Sequence, residues 1–259
     1  MAIHTHTPMI FNAGVNRIKY SKNGSSNENC PFCDKSQQSN IHRTQGDMVW
    51  LDNKFMTIEE SQMTVLIESA EHLGDITTYS QAKNRELFRF ATSCWQEMID
   101  SGKFESVLMF KNFGPMSGGS LRHPHMQIVG LTAIDGYEEV DASNFTGLEV
   151  LKSEELTVTL STHPVMGLAE ANIILKEGAA DTDAFADAVQ NGAKYYMNDF
   201  MNGRCDSYNL FFYQIDGQTI CKIVPRFLTS PYFIGYKIPQ VFTDERMQEI
   251  VEELRKVLL

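Results

Sequence analysis

The spacing of hydrophobic positions predicts short strands followed by a long helix in the first part of the chain. Residues 48–58 and 63–69 are dense in β-branched and aromatic side chains, which is typical of β-strands. Residues 80–102 place apolar side chains at helical spacing between Ser80, a favoured N-cap residue, and Gly102, a common stop. We therefore predict two strands and then one amphipathic helix.

A helix followed by a pair of strands occurs twice in this pattern. The helix and its two strands cover 80–102, 106–112 and 121–131 in the first copy, and 181–203, 207–215 and 218–227 in the second. The first pair is joined by the glycine-rich loop 113–120, and the second by the tight turn Asp216-Gly217. We interpret the two copies as a degenerate duplication, and we predict a last helix at 243–259.

The segment 21–47 is rich in Ser, Asn, Gln, Gly and Asp and lacks apolar periodicity, so we predict a long loop there. Loops of this length within a domain usually carry function or need a tether. The loop contains Cys30-Pro31-Phe32-Cys33, which holds two of the five cysteines of the chain. Without a secretory signal, this pair favours a metal site or a redox pair over a disulfide framework.

The charge balance excludes some classes of partner. The 259 residues include 22 Lys and Arg against 33 Asp and Glu, which gives a formal net charge of -11. Such a chain repels nucleic-acid backbones and anionic membrane surfaces on average. No apolar stretch reaches the roughly 18 residues of a membrane span, and no basic and then apolar signal opens the sequence. We expect a cytoplasmic protein that binds neither nucleic-acid polymers nor membranes.

Two histidines and a carboxamide form the strongest chemical pattern. In the predicted strand 121–131, alternation places His123, His125 and Gln127 on one face. The preceding loop, 113–120, is rich in Gly and Ser, and its backbone N–H groups can approach phosphate oxygens closely. Such a loop is by itself more often only a connection, so the histidines carry the inference that this region handles phosphate.

These residues also resemble a known family. The matching positions are Asn112, Gly114, Gly119, Ser120 and the run His123-Pro124-His125-x-Gln127. They resemble the active-site segment of galactose-1-phosphate uridylyltransferases, which belong to the histidine-triad (HIT-like) superfamily. The resemblance implies an α+β fold, with a HIT-like antiparallel sheet, helices and two related modules. A catalytic module with a zinc site would cover 1–135, and a degenerate module that completes the pocket would cover 136–259.

The resemblance implies roles for individual residues. His125 would be the nucleophile that attacks the α-phosphorus of a nucleotide sugar and forms a nucleotidyl-histidine intermediate. Gln127 and Ser120 would stabilise the charge that develops on the phosphoryl group. The implied nucleotide-binding residues are Asn53, Phe55, Asn112 and Gly119. A neutral imidazole suits this role, because it attacks at neutral pH without prior ionisation.

The resemblance further implies one zinc ion. The implied ligands are Cys30, Cys33, His72 and His123. Two cysteines and two histidines make a closed tetrahedral set, which is typical of a structural rather than a catalytic zinc. The spacing of the cysteines alone does not select His72, which lies 39 positions after Cys33. The metal would anchor His123 and with it the neighbouring His125.

We therefore predict an enzyme, a nucleotidyltransferase or phosphorylase, that acts on a nucleotide sugar or a related nucleoside diphosphate compound by double displacement. Triad hydrolases carry a third histidine where Gln127 stands, and a carboxamide cannot shuttle a proton to water, so transfer is favoured over hydrolysis. A dinucleotide or nucleoside-phosphate hydrolase and a non-catalytic nucleotide-binding protein remain as alternatives. The expected partners are small nucleotide and phosphate substrates, and either a monomer or a homodimer is compatible with the duplication.

The chain departs from the family where the family contacts its hexose. Pro231 and Lys237 stand at positions that are typically Lys and Glu, which predicts poor binding of galactose or glucose. Lys222, Arg226 and Lys237 instead suggest a local basic patch in an acidic protein. Such a patch would suit a phosphate or pyrophosphate acceptor.

Overall fold

Ten strands form one antiparallel sheet in the described part of the chain. The computed structural model describes residues 8–14, 30–178 and 182–258. The strands are β1 Ile41–Gln45, β2 Met48–Asp52, β3 Ser61–Ile67, β4 Ser106–Phe113, β5 His125–Leu131, β6 Gly147–Lys152, β7 Leu156–Ser161, β8 Ala171–Leu175, β9 Tyr208–Ile215 and β10 Gln218–Pro225. Their order in the sheet is β1-β2-β3-β5-β4-β9-β10-β8-β7-β6.

The sheet consists of two halves with the same connectivity. Each half has three outer strands followed by a helix and a hairpin, and the two halves meet where β4 pairs with β9. The central pairs include Phe110 with Phe211 and Asn112 with Asn209. The α+β class and the repeated helix-plus-hairpin unit are confirmed. A division into modules at 135 and 136 stays a prediction.

In the described residues, four α-helices accompany the sheet, and they are α1 Gln81–Asp100, α2 Thr182–Asn198, α3 Pro231–Tyr236 and α4 Asp244–Leu258. Ser80 caps α1 as predicted, and its side chain accepts a hydrogen bond from the backbone N–H of Lys83. The apolar sides of α1, α2 and α4 share one hydrophobic core with alternate residues of the strands, such as Met126 and Ile128 of β5. The other residues of β5 face away from these helices, and this second face of the sheet carries the candidate site.

Three predicted elements differ from the structure. Residues 21–29 of the predicted loop 21–47 lie outside the described residues, and the rest of it contains β1. This strand is at the edge of the sheet and exposed on both sides, so its sequence shows no alternation of apolar and polar residues. The predicted strand 48–58 ends at Asp52, and the predicted strand 121–131 begins only at His125. Pro124 has no N–H to donate, and its carbonyl accepts from the backbone of Glu68 instead.

Other elements were not predicted at all or have different ends. The pattern did not indicate β6, β7, β8 or α3, which lie between the predicted elements. The predicted helix 181–203 ends at Asn198, and a separate 3-10 turn follows at Phe200–Asn202. Gly203 closes that turn in the left-handed conformation that glycine favours. None of the described helices is long and apolar enough to cross a membrane.

A buried ion cluster joins β4 to the segment after β3. The ammonium group of Lys111 lies 2.5 Å from a carboxylate oxygen of Glu68 and 3.3 Å from one of Asp75. All three side chains are buried. Tyr79 donates a hydrogen bond to Glu68, and Tyr208 of the second half donates to Asp75. Burial alone would lower the pKa of Lys111, but the two carboxylates outweigh it and raise that pKa, so the ammonium stays charged.

Replacement of this cation should be costly. In Lys111→Met, two carboxylates lose their buried counter-charge, and we expect the free energy of unfolding to fall by about 3–5 kcal/mol. Urea denaturation measures the loss. The exposed Lys103→Met is the matched control and should change stability by less than about 0.5 kcal/mol. A loss at Lys111 as small as that of the control would show that the cluster does not stabilise the fold.

Candidate metal centre and nucleotide cleft

Two cysteines and two histidines meet at one end of the sheet. The possible ligand atoms of Cys30, Cys33, His72 and His123 all lie within 4.8 Å of one another. His123 and Cys30 are buried, whereas Cys33 is exposed and His72 is half-buried. The cluster thus brings together residues of the cysteine loop, the segment after β3 and the residues before β5. It assembles all four predicted metal ligands in one place.

The distances within the cluster suit a tetrahedral metal. Cys33 Sγ lies 3.3 Å from Nδ1 of His72 and 3.3 Å from Nδ1 of His123, and Cys30 Sγ lies 3.7 Å from Nδ1 of His123. Zinc bound to sulfur at about 2.3 Å and to nitrogen at about 2.0 Å separates these ligand atoms by about 3.5 Å in a tetrahedron. The donor set and its spacing therefore fit zinc.

The second ring nitrogen of His123 supports its role as a ligand. Its Nε2 lies 2.8 Å from the backbone carbonyl of Ser69, and a carbonyl only accepts, so Nε2 carries the proton. The lone pair is then on Nδ1, which faces the cysteines. Histidine ligands commonly hold their ring in this way. Burial lowers the pKa of His123, which also favours the neutral form that binds metal.

His125 is oriented by His123, one of the four residues of this cluster. Its Nδ1 lies 2.8 Å from the backbone carbonyl of His123, so by the same argument Nδ1 donates and the lone pair is on Nε2. Phe32, between the two cysteines, packs edge-on against both imidazoles, with ring centroids 5.7 Å and 5.4 Å away. The hydrophobic pattern did not predict that Phe32 contacts these histidines. The only indication in the sequence was its place between the two cysteines of Cys-Pro-Phe-Cys.

A cleft opens over the face of the sheet that carries His125. The space between its walls, counted out to the open mouth and including solvent, is about 820 Å³. All seven residues predicted for catalysis or nucleotide binding line it, and they are Asn53, Phe55, Asn112, Gly119, Ser120, His125 and Gln127. The apolar side chains of Phe32, Leu51 and Val65 line the same cleft. The structure thus brings the predicted site residues together around one cavity.

The glycine-rich loop beside His125 is held by the second half of the protein. A Cβ atom on Gly114 would lie 2.2 Å from the backbone oxygen of Asp206, so only glycine allows this approach. The backbone N–H of Met116 donates to the hydroxyl of Ser207 at 2.9 Å. These contacts fix the loop that presents Gly119 and Ser120 to the cleft. The sequence carries no signal that pairs this loop with residues about ninety positions later.

A polar relay also crosses from the cleft into the second half. The side-chain nitrogen of Asn209 donates to the side-chain oxygen of Asn112 at 2.6 Å and to the carbonyl of Ser117 at 3.0 Å. Arg226 in turn donates to the side-chain oxygen of Asn209 at 2.9 Å. Asn209 is buried, and the sequence patterns did not identify it.

The predicted basic patch does not exist as a unit. Lys222 is fully buried, and its ammonium lies 3.1 Å from a carboxylate oxygen of Glu170. It is a structural ion pair because both partners lack contact with solvent. Lys237 follows the exposed helix α3 as its C-cap, and neither it nor Pro231 lines the cleft. Of the three predicted cations, only Arg226 adjoins the polar relay.

Metal binding and the orientation of His125 should be separable. We expect Cys33→Ser and His72→Asn to lower the zinc content well below about one ion per chain, because a tetrahedral structural site needs all four ligands. His125→Asn should keep its zinc. Metal analysis of the purified variants by mass spectrometry measures this, and Cys205→Ser, a buried cysteine outside the cluster, is the control. Loss of zinc from His125→Asn would contradict this division of roles.

Comparisons with known proteins identify the family. The DUF4931 family, described as a domain of unknown function, matches with its N-terminal domain at residues 11–134 and its C-terminal domain at residues 137–259. A crystal structure of a DUF4931 family protein from Bacillus cereus ATCC 10987 is 40% identical, covers 84% of this chain and 98% of that chain, and has a TM-score of 0.76. No curated protein matches the sequence.

More distant structures share the fold. A uridylyltransferase is 14% identical, with 91% of this chain and 93% of that chain covered and a TM-score of 0.69. An ADP-glucose phosphorylase from Arabidopsis thaliana with bound ADP-glucose is 14% identical, with 92% and 93% covered and a TM-score of 0.67. These likenesses concern the fold and confirm the HIT-like architecture expected from the His-Pro-His-x-Gln segment. The chain has the fold of the galactose-1-phosphate uridylyltransferase-like proteins and belongs to the DUF4931 family.

Proposed function

We propose that this protein is a nucleotidyltransferase or phosphorylase that works through a nucleotidyl-histidine at His125. The observation that carries the proposal is the hydrogen bond from Nδ1 of His125 to the carbonyl of His123. It directs the lone pair of Nε2 to act as the nucleophile, on a side chain that lines the cleft. The shared fold with a uridylyltransferase and an ADP-glucose phosphorylase supports the same class of reaction.

The reaction proceeds in two displacements. Nε2 of His125 forms a bond to the α-phosphorus of a nucleoside diphosphate compound, and the bond from that phosphorus to the bridging oxygen breaks. The electron pair stays on the leaving phosphate, which departs as an anion, so no proton has to be delivered to it. In the second step, a phosphate oxygen of the acceptor attacks the same phosphorus, and the bond to Nε2 breaks. The neutral imidazole is thereby restored.

The groups around His125 suit charge stabilisation in these steps. Gln127 lies on the same face of β5, two residues from His125, and its amide can donate to a phosphoryl oxygen. Ser120 and the backbone N–H of Gly119 come from the loop that the second half holds in place. Hydrogen-bond donors aimed at developing charge are usually the largest contribution to such a transfer. These donors are uncharged, so the protein can stabilise a phosphoryl group with them although its net charge is negative.

The remaining walls of the cleft suit a nucleoside. Leu51, Val65 and Phe55 offer apolar surface for a base. Asn53 accepts a hydrogen bond from the backbone N–H of Phe55 at 3.0 Å, which directs its side-chain nitrogen to act as a donor. We assign the nucleoside to this end of the cleft and the α-phosphate to the end at His125.

Cys30, Cys33, His72 and His123 would hold a zinc ion beside this cleft. Zinc supplies a positive charge that stabilises two thiolates and cross-links three segments of the chain. His123 then fixes the carbonyl that orients His125. In this scheme, the metal positions the nucleophile and takes no part in bond making.

A trapped intermediate tests the proposal. Metal-loaded protein is incubated with UDP-glucose, ADP-glucose and a dinucleoside polyphosphate, each carrying ³²P at the α-position. We expect an acid-labile label on the wild type, identified at His125 by peptide mass spectrometry, because a phosphoramidate forms there. His125→Asn should carry no label, and the exposed His163→Asn is the control that should be labelled like the wild type.

Two outcomes would contradict this function. Absence of label from every donor at full zinc content, together with unchanged nucleotide binding by His125→Asn, would indicate a non-catalytic binding protein. Release of nucleoside monophosphate in water at the same rate with and without an added phosphate acceptor would indicate a hydrolase.

Removal of one donor should slow the labelling step. In Gln127→Ala, we expect the rate constant of labelling to fall about 10²-fold, because a donor to the developing charge is lost. The affinity for the donor substrate should change much less, since this interaction strengthens in the transition state. Rapid-quench labelling at several donor concentrations separates the two quantities. A change in affinity alone would show that Gln127 only binds the ground state.

A further inference from the structure

A row of polar residues leads from His125 across the sheet into the second half. The register of β4 and β5 places Asn112 opposite His125, one residue beyond the pair of Lys111 with Met126. Asn112 is paired with Asn209 of β9. Because neighbouring strands lie about 4.8 Å apart, Asn209 is roughly 10 Å from His125 across the sheet. The side chain of Arg226, which follows β10, reaches back to Asn209.

Arg226 has no counter-ion among the described residues. Its side chain is half-buried, and Nε is buried without a hydrogen-bond partner. No carboxylate of the described part lies within 4.0 Å of its guanidinium, and its bond to Asn209 involves a neutral amide. Lys111 and Lys222, the two fully buried lysines among the described residues, are both paired with carboxylates. Arg226 therefore differs from these two lysines, because no carboxylate of the described residues offsets its charge.

An uncompensated guanidinium in this place favours an anionic ligand. Desolvation of a charge is costly unless an opposite charge or several hydrogen bonds compensate it. Burial lowers the pKa of Arg226, which reflects this cost, although an arginine stays charged at neutral pH. A guanidinium offers donors in a planar fork that matches the oxygens of phosphate. A phosphate that arrives at the accessible part of the guanidinium would supply the missing counter-charge.

We propose that Arg226 binds the phosphate group of the leaving and accepting substrates, on the side of Asn112 remote from the nucleoside. This inference rests on the proposed function and deepens it. In the first displacement, the bond from the α-phosphorus to the bridging oxygen breaks, and Arg226 stabilises the negative charge left on the departing phosphate. In the second displacement, it holds the phosphate whose oxygen attacks. The acceptor is then orthophosphate or a phosphate ester rather than an alcohol or water.

Arg226 would then be supplied by the second half of the chain to chemistry performed by the first. A purely positioning role is the competing explanation, because Arg226 also orders Asn209 and through it Asn112. The two roles differ in one respect. Loss of a phosphate-binding residue affects only substrates whose leaving group carries phosphate, whereas loss of a positioning residue affects every donor.

Two donors with the same nucleoside distinguish these roles. The first is the nucleoside diphosphate compound that labels the wild type, and the second is the nucleoside 5′-phosphorimidazolide, whose leaving group carries no phosphate. In Arg226→Gln, we expect labelling of His125 by the first donor to slow about 10- to 100-fold. Labelling by the phosphorimidazolide should stay within about twofold of the wild type. Arg204→Gln removes an exposed arginine and should leave both rates unchanged.

Equal slowing of both donors would overturn the proposal in favour of positioning, and no slowing of either would exclude both roles. Failure of the wild type to react even with the phosphorimidazolide would instead contradict the proposed function. Titration of inorganic pyrophosphate into the zinc-loaded protein by calorimetry gives a readout that needs no chemistry. We expect at least tenfold weaker binding by Arg226→Gln, and equal binding would overturn the proposal. Arg226→Lys, which keeps the charge, should give an intermediate loss if the glutamine variant does not fold.

Discussion

The hydrogen bond from His125 to the carbonyl of His123 is the contact on which the rest of the site depends. It selects the tautomer of the proposed nucleophile. It also links the imidazole of His125 directly to the backbone of His123, which is a member of the Cys/His cluster. Pro124 between the two histidines stiffens this segment and cannot donate to the ladder, although its carbonyl accepts from the backbone N–H of Glu68. His123 contacts the cysteines, and His125 is the first residue of β5. A closed metal site can therefore order a neighbouring side chain without touching the substrate.

The sheet connects this site to the second half of the chain. The face that carries His125 continues over Asn112 and Asn209 to the end of β10, while the opposite face is occupied by the helices. Buried lysines in each half are neutralised within the protein, by Glu68 on one side and Glu170 on the other. Against that background, Arg226 of the second half has no counter-ion among the described residues, which is the basis for proposing a ligand site there rather than a structural ion pair.

An acidic chain can handle phosphate under these conditions. The net charge of -11 acts over the whole surface, where solvent and salt screen it. Within the cleft, loop N–H groups, a neutral imidazole and a carboxamide offer hydrogen bonds at short range. The guanidinium of Arg226 does not line the cleft itself, but it donates to Asn209, which in turn donates to the cleft residue Asn112.

The sequence by itself determined the helix that begins after Ser80, the repeated helix-plus-hairpin unit and the segment His123-Pro124-His125-x-Gln127, because these are local patterns. Periodicity could not predict β1, an edge strand exposed on both sides, or the late start of β5. Only the tertiary structure decided that Arg226 donates a hydrogen bond to Asn209, whereas Lys222 forms a buried ion pair with Glu170. Identical charges in a sequence become different in function only when folding determines which of them is left without a counter-ion.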